Sequence, residues 1–223
     1  MIVRSMPLVI ILAVLAFISD GPIRPGSKSL NTNQIPLGID SLYILIPKNG
    51  QFYIGGNMTL QTGLSDFKGK KVLNRVERTV AADGTLFSVD SFMVAQHSLL
   101  PLYQRLQDPQ GKHKLNFDRM AKSAFYDNSL DIILASLPLR PRYKAHLALT
   151  GEKGDQIADI QVVGKTAIKT ADGKECNSWK VQVDSGENSG TYWVADQSRV
   201  LVRFEPAAQN MIIARIRGCP VSI

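Results

Sequence analysis

Ser178-Trp179-Lys180-Val181-Gln182-Val183-Asp184 alternates large apolar residues with polar ones for seven positions. A period of two places Trp179, Val181 and Val183 on one face of an extended chain and Lys180 and Gln182 on the other. The segment therefore reads as a strand with one face buried and one face wet, as in an antiparallel sheet. The same pattern recurs on both sides of it. Ala145, Leu147 and Leu149 alternate with Lys144 and His146, Ile160 and Val162 with Asp159 and Gln161, and Val200, Val202 and Phe204 with Arg203 and Glu205. Turn-forming clusters punctuate these runs at Gly151–Asp155, Ala171-Asp172-Gly173, Ser185–Asn188, Asp196–Ser198 and Pro206–Asn210. Short connections of this kind join consecutive antiparallel strands into a meander.

Toward the N-terminus the pattern is noisier. Strands are expected over Ser41–Ile46, Gln51–Gln61, Lys70–Val80, Leu86–Ala95 and Lys112–Phe117, with Asp83-Gly84 as a hairpin turn. Gly55-Gly56 reads as a bulge or bend within a strand. Pro101 marks an edge or a bend in the stretch Leu99–Leu106.

One stretch departs from period two. Leu130, Ile133, Leu134 and Leu137 stand at i, i+3, i+4 and i+7 and form one face of a short helix. Asn128 is the expected cap, Asp131 complements the positive end of the dipole, and Pro138 stops the helix. The fold expected is all-β with one short helix: a strongly curved antiparallel meander of about ten strands, an open half-barrel, with the helix packed on its concave face. Residues 41–223 form this domain, and residues 21–40, rich in Pro and Gly, form a linker or extended arm before it.

Residues 1–20 read as a signal peptide. Arg4 precedes an uncharged apolar run of twelve residues from Pro7 to Ile18. That run is too short to cross a hydrocarbon layer of roughly 30 Å as a helix but suits a secretory leader. Export to the periplasm or outer cell envelope is the expectation. The two cysteines, Cys176 and Cys219, bear on this. An oxidising compartment favours their pairing. A flat four-strand meander opposes it, because it would hold their Cα atoms about 14 Å apart. The sequence leaves the pair open.

The chain has 223 residues, 44% of them hydrophobic and 20% charged, which places it among folded domains. Its net charge is +7, but the basic residues are scattered (Lys68, Lys70 and Lys71; Arg140, Arg142 and Lys144; Arg215 and Arg217). No run forms a nucleic-acid arm, and aromatics do not interleave with the cations as a base-stacking platform requires. Nucleic acid is not expected as a partner. His97, His113 and His146 lack metal-ligand spacing, and neither HExxH nor CxxC occurs. No GxSxG elbow presents a serine nucleophile. No catalytic residue, no metal site and no cofactor are expected, and the reading is of a non-enzyme.

The helix ends Phe125–Leu139 in Leu137-Pro138-Leu139. It is followed by Val162–Lys165 and Asp172–Val181, and by a hairpin carrying Tyr192-Trp193 opposite Arg203. These stretches resemble the domain of unknown function 3108 family of bacterial envelopes over residues 70–217. The resemblance implies an architecture similar to that of the periplasmic lipoprotein carriers, a curved sheet with helix in its mouth. It supplies no catalytic residues. Two functions are compatible with it. The first is binding of a lipid or another apolar small molecule on the concave face, with Leu130, Leu134, Trp179, Tyr192, Trp193 and Phe204 as the lining. The second is a structural or interaction module that meets an envelope protein partner through an edge strand or the basic convex face. A monomer is expected in either case. An apolar void above about 300 Å³ favours the first, and a filled interior the second.

Overall fold

The structure, a computed structural model, describes residues 21–114 and 123–219. The expected leader, and most of the strand expected over Lys112–Phe117, lie outside the described residues.

The chain builds two meanders. The first comprises β1 (Gly38–Lys48), β2 (Gln51–Phe67), β3 (Lys70–Ala81), β4 (Leu86–Ala95), β5 (Pro101–Asp108) and β6 (Gly111–His113). The second comprises β8 (Lys144–Gly151), β9 (Gly154–Lys169), β10 (Glu175–Asp184), β11 (Gly190–Ala195), β12 (Leu201–Pro206) and β13 (Ile212–Arg215). Between them stand β7 (Phe125–Tyr126) and the helix α1 (Leu130–Ser136). Antiparallel pairing of β13 with β1, Leu42 opposite Arg215 and Ile44 opposite Ile213, zips the meanders into one open sheet of thirteen strands among the described residues. The order runs β6-β5-β4-β3-β2-β1-β13-β12-β11-β10-β9-β8-β7. About ten strands were expected. Among those not expected as strands are β5, where Pro101 read as an edge or a bend, and β7, whose two residues are too few to show a period.

This order explains the position of the helix. The first meander ends at one edge of the sheet and the second begins at the other, so the connection that holds α1 must cross the sheet. It crosses on the concave side. One core cluster unites Leu73, Phe92 and Val94 of β3 and β4, Leu134 and Leu137 at the helix, and Leu147, Ile160 and Val181 of β8 to β10. Bulges between Ile44 and Leu45, Thr79 and Val80, Met93 and Val94, and Lys180 and Val181 add the local twist that curls the sheet round it. The first is the expected one: Gly55 is the extra residue, and a side chain there would collide with that of Ile46. Pro101 opens β5 beside the bulge at Val94, just after Leu99 turns the chain with a φ of 58°.

The helix differs from its expected form in two respects. A 3-10 turn over Asp127–Ser129 precedes it, and Asn128 does not cap it. Ser129 stands at the N-cap without a side-chain cap bond, and the Asn128 amide donates instead to Asp90 at 3.1 Å. Nor is α1 amphipathic in its setting. Ile132, Ala135 and Ser136, opposite the expected apolar stripe, are buried as fully as Ile133 and Leu134. The arm accounts for this. Its Ile35 and Leu30 join the helix cluster, its Asn31 N–H donates to the Ser136 carbonyl, and Ile23 adds a short parallel bridge to Leu147 of β8. The helix is thus encased.

Cys176 and Cys219 form a disulfide with Cα atoms 5.7 Å apart. The flat-meander distance fails because β10 outruns its neighbour: its pairing with β11 begins only at Ser178. The tip of the β9–β10 hairpin folds over the β11–β12 turn and meets the end of β13. There the Ala171 and Asp172 N–H groups donate to the Arg215 and Ile216 carbonyls, each at 3.1 Å.

Candidate functional site

Alternation along β3 is inverted. Val76 faces solvent, whereas Arg75 and Glu77 share the inward face with Leu73. Charges are thus placed on the concave side of the sheet, next to the first turn of α1. Arg75 is almost wholly buried and uses each of its nitrogens. Nε donates to Glu77 at 3.3 Å, Nη1 to Thr62 at 2.6 Å and Nη2 to Asp131 at 2.6 Å. Beside it on β4, Asp90 accepts from Gln104 and from the Tyr126 hydroxyl, both at 2.9 Å, and from Asn128. A buried charge persists only where it is paired and hydrogen-bonded. Here pairing also fastens α1 and β7 to β3 and β4.

These groups form one wall of a cleft of about 240 Å³ at the mouth of the half-barrel. Glu77, Asp90, Asp127 and Asp131 line it together with Arg75, Thr79, Ser88 and Asn128. The rest of the lining is apolar: Met58 and Leu60 of β2, which pair with Thr79 and Glu77, Leu106 of β5, which pairs with Asp90, Leu130, and Tyr192, Leu201, Phe204 and Ile213 of β11 to β13. Tyr192 and Phe204 stack with ring centroids 4.1 Å apart. Asp127 occupies the rim, and a side chain at Gly151 would collide with its carboxylate.

Electrostatics in the cleft are strongly perturbed. Burial pushes the Glu77 carboxyl up to about 8; Arg75 opposes the shift, while Asp131 and Asp90 reinforce it. Asp127 rises to about 6, first through burial, against the pull of the Asn128 N–H. Burial, with Asp90 next, raises the Tyr126 hydroxyl, and burial with Asp131 and Glu77 raises that of Tyr192. The Arg75 guanidinium loses stability through burial, but Asp131 and Glu77 outweigh the loss and hold it charged. Titratable groups displaced in this way and converging on one cleft mark a candidate binding site. Two larger hollows, of about 650 and 1350 Å³, lie along β8 and the arm. The larger is walled mostly by exposed residues such as Arg24, Arg140 and Arg142, without a buried polar network.

The six expected lining residues separate into three groups. Leu130, Tyr192 and Phe204 line the cleft. Leu134 and Trp179 are buried in the core beyond it. Trp193 points to the other face of the sheet, into a small second core with Cys176, Ala195, Val200 and Val202, where Lys180 and Arg203 lie 5.7 and 5.4 Å from its ring. Neighbours in a strand face opposite ways, so Tyr192 and Trp193 cannot share a lining. The acidic wall was missed, although its trace, two charges in phase with Leu73, stands in the sequence. Among the described residues, no cluster of His, Cys, Asp and Glu is arranged to hold a metal ion.

No curated protein and no solved structure matches the chain. The likeness to the lipoprotein carriers therefore rests on the family resemblance alone. A family model described as "Protein of unknown function (DUF3108)" matches residues 118–212, a narrower span than the resemblance suggested. The match takes in α1, its preceding turn and the second meander as far as the start of β13, while β1 to β6 fall outside it. Over residues 118–212, less than half of its length, the chain is thus similar to the DUF3108 family.

Proposed function

We propose that this chain is an exported, non-enzymatic binding protein of the cell envelope. Its concave cleft takes a small amphiphile with an apolar body and a cationic or hydrogen-bond-donating head. One observation carries the reading: a single cleft is lined by apolar residues of β2 and β11 to β13 together with carboxyl groups of β3, β4, α1 and the turn before it. Four carboxyl groups line it with one guanidinium, and each nitrogen of that guanidinium already donates to a neighbour within the protein. The cleft therefore attracts a donor or a cation and repels a fatty-acid carboxylate. Its volume of about 240 Å³ falls below the roughly 300 Å³ set for a lipid carrier, and with the encased helix it favours a ligand smaller than a phospholipid. Export is supported by the apolar run behind Arg4 and by the Cys176–Cys219 bond.

Native mass spectrometry of protein purified from its own cells tests the reading. A co-purifying small amphiphile is expected, released by denaturation and absent from a Thr79→Arg variant that fills the cleft. Recovery of the bare chain, together with failure of any small amine amphiphile to raise its melting temperature, would overturn it. The interaction-module reading, through an edge strand or the basic convex face, then takes precedence.

A further inference from the structure

β1 and β2 outrun the rest of the sheet at one end. Pairing of β2 with β3 stops at Gly56 opposite Ala81, and that of β1 with β13 stops at Leu45 opposite Ile212. Beyond these points the two strands continue as a ribbon, Ile46 opposite Tyr53, Pro47 opposite Phe52 and Lys48 opposite Gln51, closed by Asn49 and Gly50 at positive φ. The ribbon is apolar and bare. Phe52, Tyr53 and Ile54 are 56, 50 and 52% exposed and Ile46 is 45% exposed. At its base the β3–β4 hairpin adds exposed Leu86 and Phe87.

Two features of this ribbon select a partner. Phe52, Tyr53 and Ile54 are consecutive, so large apolar side chains project from both faces. A groove on another protein covers one face of a ribbon; a bilayer interface surrounds both. The second feature is charge. Between Asp40 and Asp66 the only charged residue is Lys48, at the tip. The nearest acid on the neighbouring hairpin, Asp83, stands in the turn at the ribbon's base, where Ala82 N–H donates to the Gly55 carbonyl. A tip with aromatic and aliphatic side chains, one cation and no anion complements the boundary between acyl chains and anionic headgroups. The unpaired backbone edges of the ribbon find hydrogen-bond partners in that hydrated zone, which the hydrocarbon centre would deny them.

We infer that the β1–β2 hairpin, residues 46–54, docks this protein on an anionic phospholipid surface, with Phe52, Tyr53 and Ile54 entering the interface and Lys48 meeting the headgroups. The inference rests on the hairpin alone and is independent of the cleft. Co-sedimentation of the purified chain with phosphatidylglycerol–phosphatidylcholine vesicles, and with phosphatidylcholine alone, tests it. The wild type should pellet with the mixed vesicles and more weakly with the neutral ones. Phe52→Ser/Tyr53→Ser/Ile54→Ser should weaken partitioning by about tenfold or more at an unchanged melting temperature, because these side chains support no core. Lys48→Glu should erase the preference for phosphatidylglycerol, and a Phe52→Trp probe should shift its emission to the blue on adding vesicles. A wild type that stays in the supernatant, a triple variant that pellets as well as wild type, or a hairpin-dependent dimer in sedimentation velocity would each overturn the proposal.

Discussion

Arg75 of β3 and Asp131 of α1 are joined by a bond of 2.6 Å from Nη2 to Oδ2, with side chains 5 and 17% exposed. The pair links the first meander to the helix across 56 positions of sequence. Breaking a buried pair from one side leaves the other charge desolvated and uncompensated, at a cost of about 3–5 kcal/mol. Arg75→Leu is expected to destabilise by about this amount, because it leaves the Asp131 carboxylate without its cation. Urea unfolding of the variant measures it. A loss under about 1 kcal/mol would show the pair to be a surface contact.

The same cluster dictates a pH dependence. Glu77 rises from 4.5 to about 8 and Asp127 from 3.8 to about 6 on folding, both chiefly through burial. The folded chain therefore holds protons that the unfolded chain releases. Their contribution is present below the unfolded values and is lost as pH climbs through about 6 and then about 8. The urea midpoint should fall between about pH 5 and about pH 8.5, and Glu77→Gln should flatten the upper part of that fall. A midpoint that rises over this range would mean that both carboxyls are ionised in the folded state.

Leu134 is fully buried in α1. Leu134→Asp places an unpaired charge where no water reaches, and a loss of about 4 kcal/mol or more, or failure to fold, is expected. A shift in melting temperature of less than about one degree would contradict the packing of the helix.

The disulfide closes a loop across 43 positions and pins the end of β13 beneath the β9–β10 hairpin. On the chain-entropy account, a loop of this length stabilises by about 3–4 kcal/mol. Cys176→Ser/Cys219→Ser should lower stability by that order, and thiol counting on the unfolded, non-reduced wild type should find neither sulfur reactive. Two reactive thiols would exclude the bond.

What the sequence made legible follows from the range of its signals. Alternation over Lys144–Leu149 and Ser178–Asp184 gave β8 and β10: Ala145, Leu147, Leu149, Trp179, Val181 and Val183 are buried, and Lys144, His146, Gln182 and Asp184 are exposed. The i, i+3, i+4, i+7 spacing located α1, but burial of Ile132 and Ala135 depends on the arm, which is far away in sequence. Pairing of β1 with β13 is equally non-local, so the joining of two meanders could not be read from either one. Of the cleft, Leu130, Tyr192 and Phe204 were found as apolar residues at inward positions. Arg75, Glu77 and Asp90 were not, because charges on a strand read as its wet face until their partners are seen across the sheet. The cysteine pair was undecidable for a related reason: its geometry depends on an overhang at Ser178 that no local pattern encodes.

Calorimetric titration of the purified protein with octylamine and with octanoate tests the cleft most directly, since the two share a chain and differ in the charge of the head. Octylamine should bind at least about tenfold more tightly than octanoate, and Thr79→Arg, which fills the cleft with a cation, should abolish the heat. Absence of binding by octylamine, or equal binding by wild type and Thr79→Arg, would contradict the account.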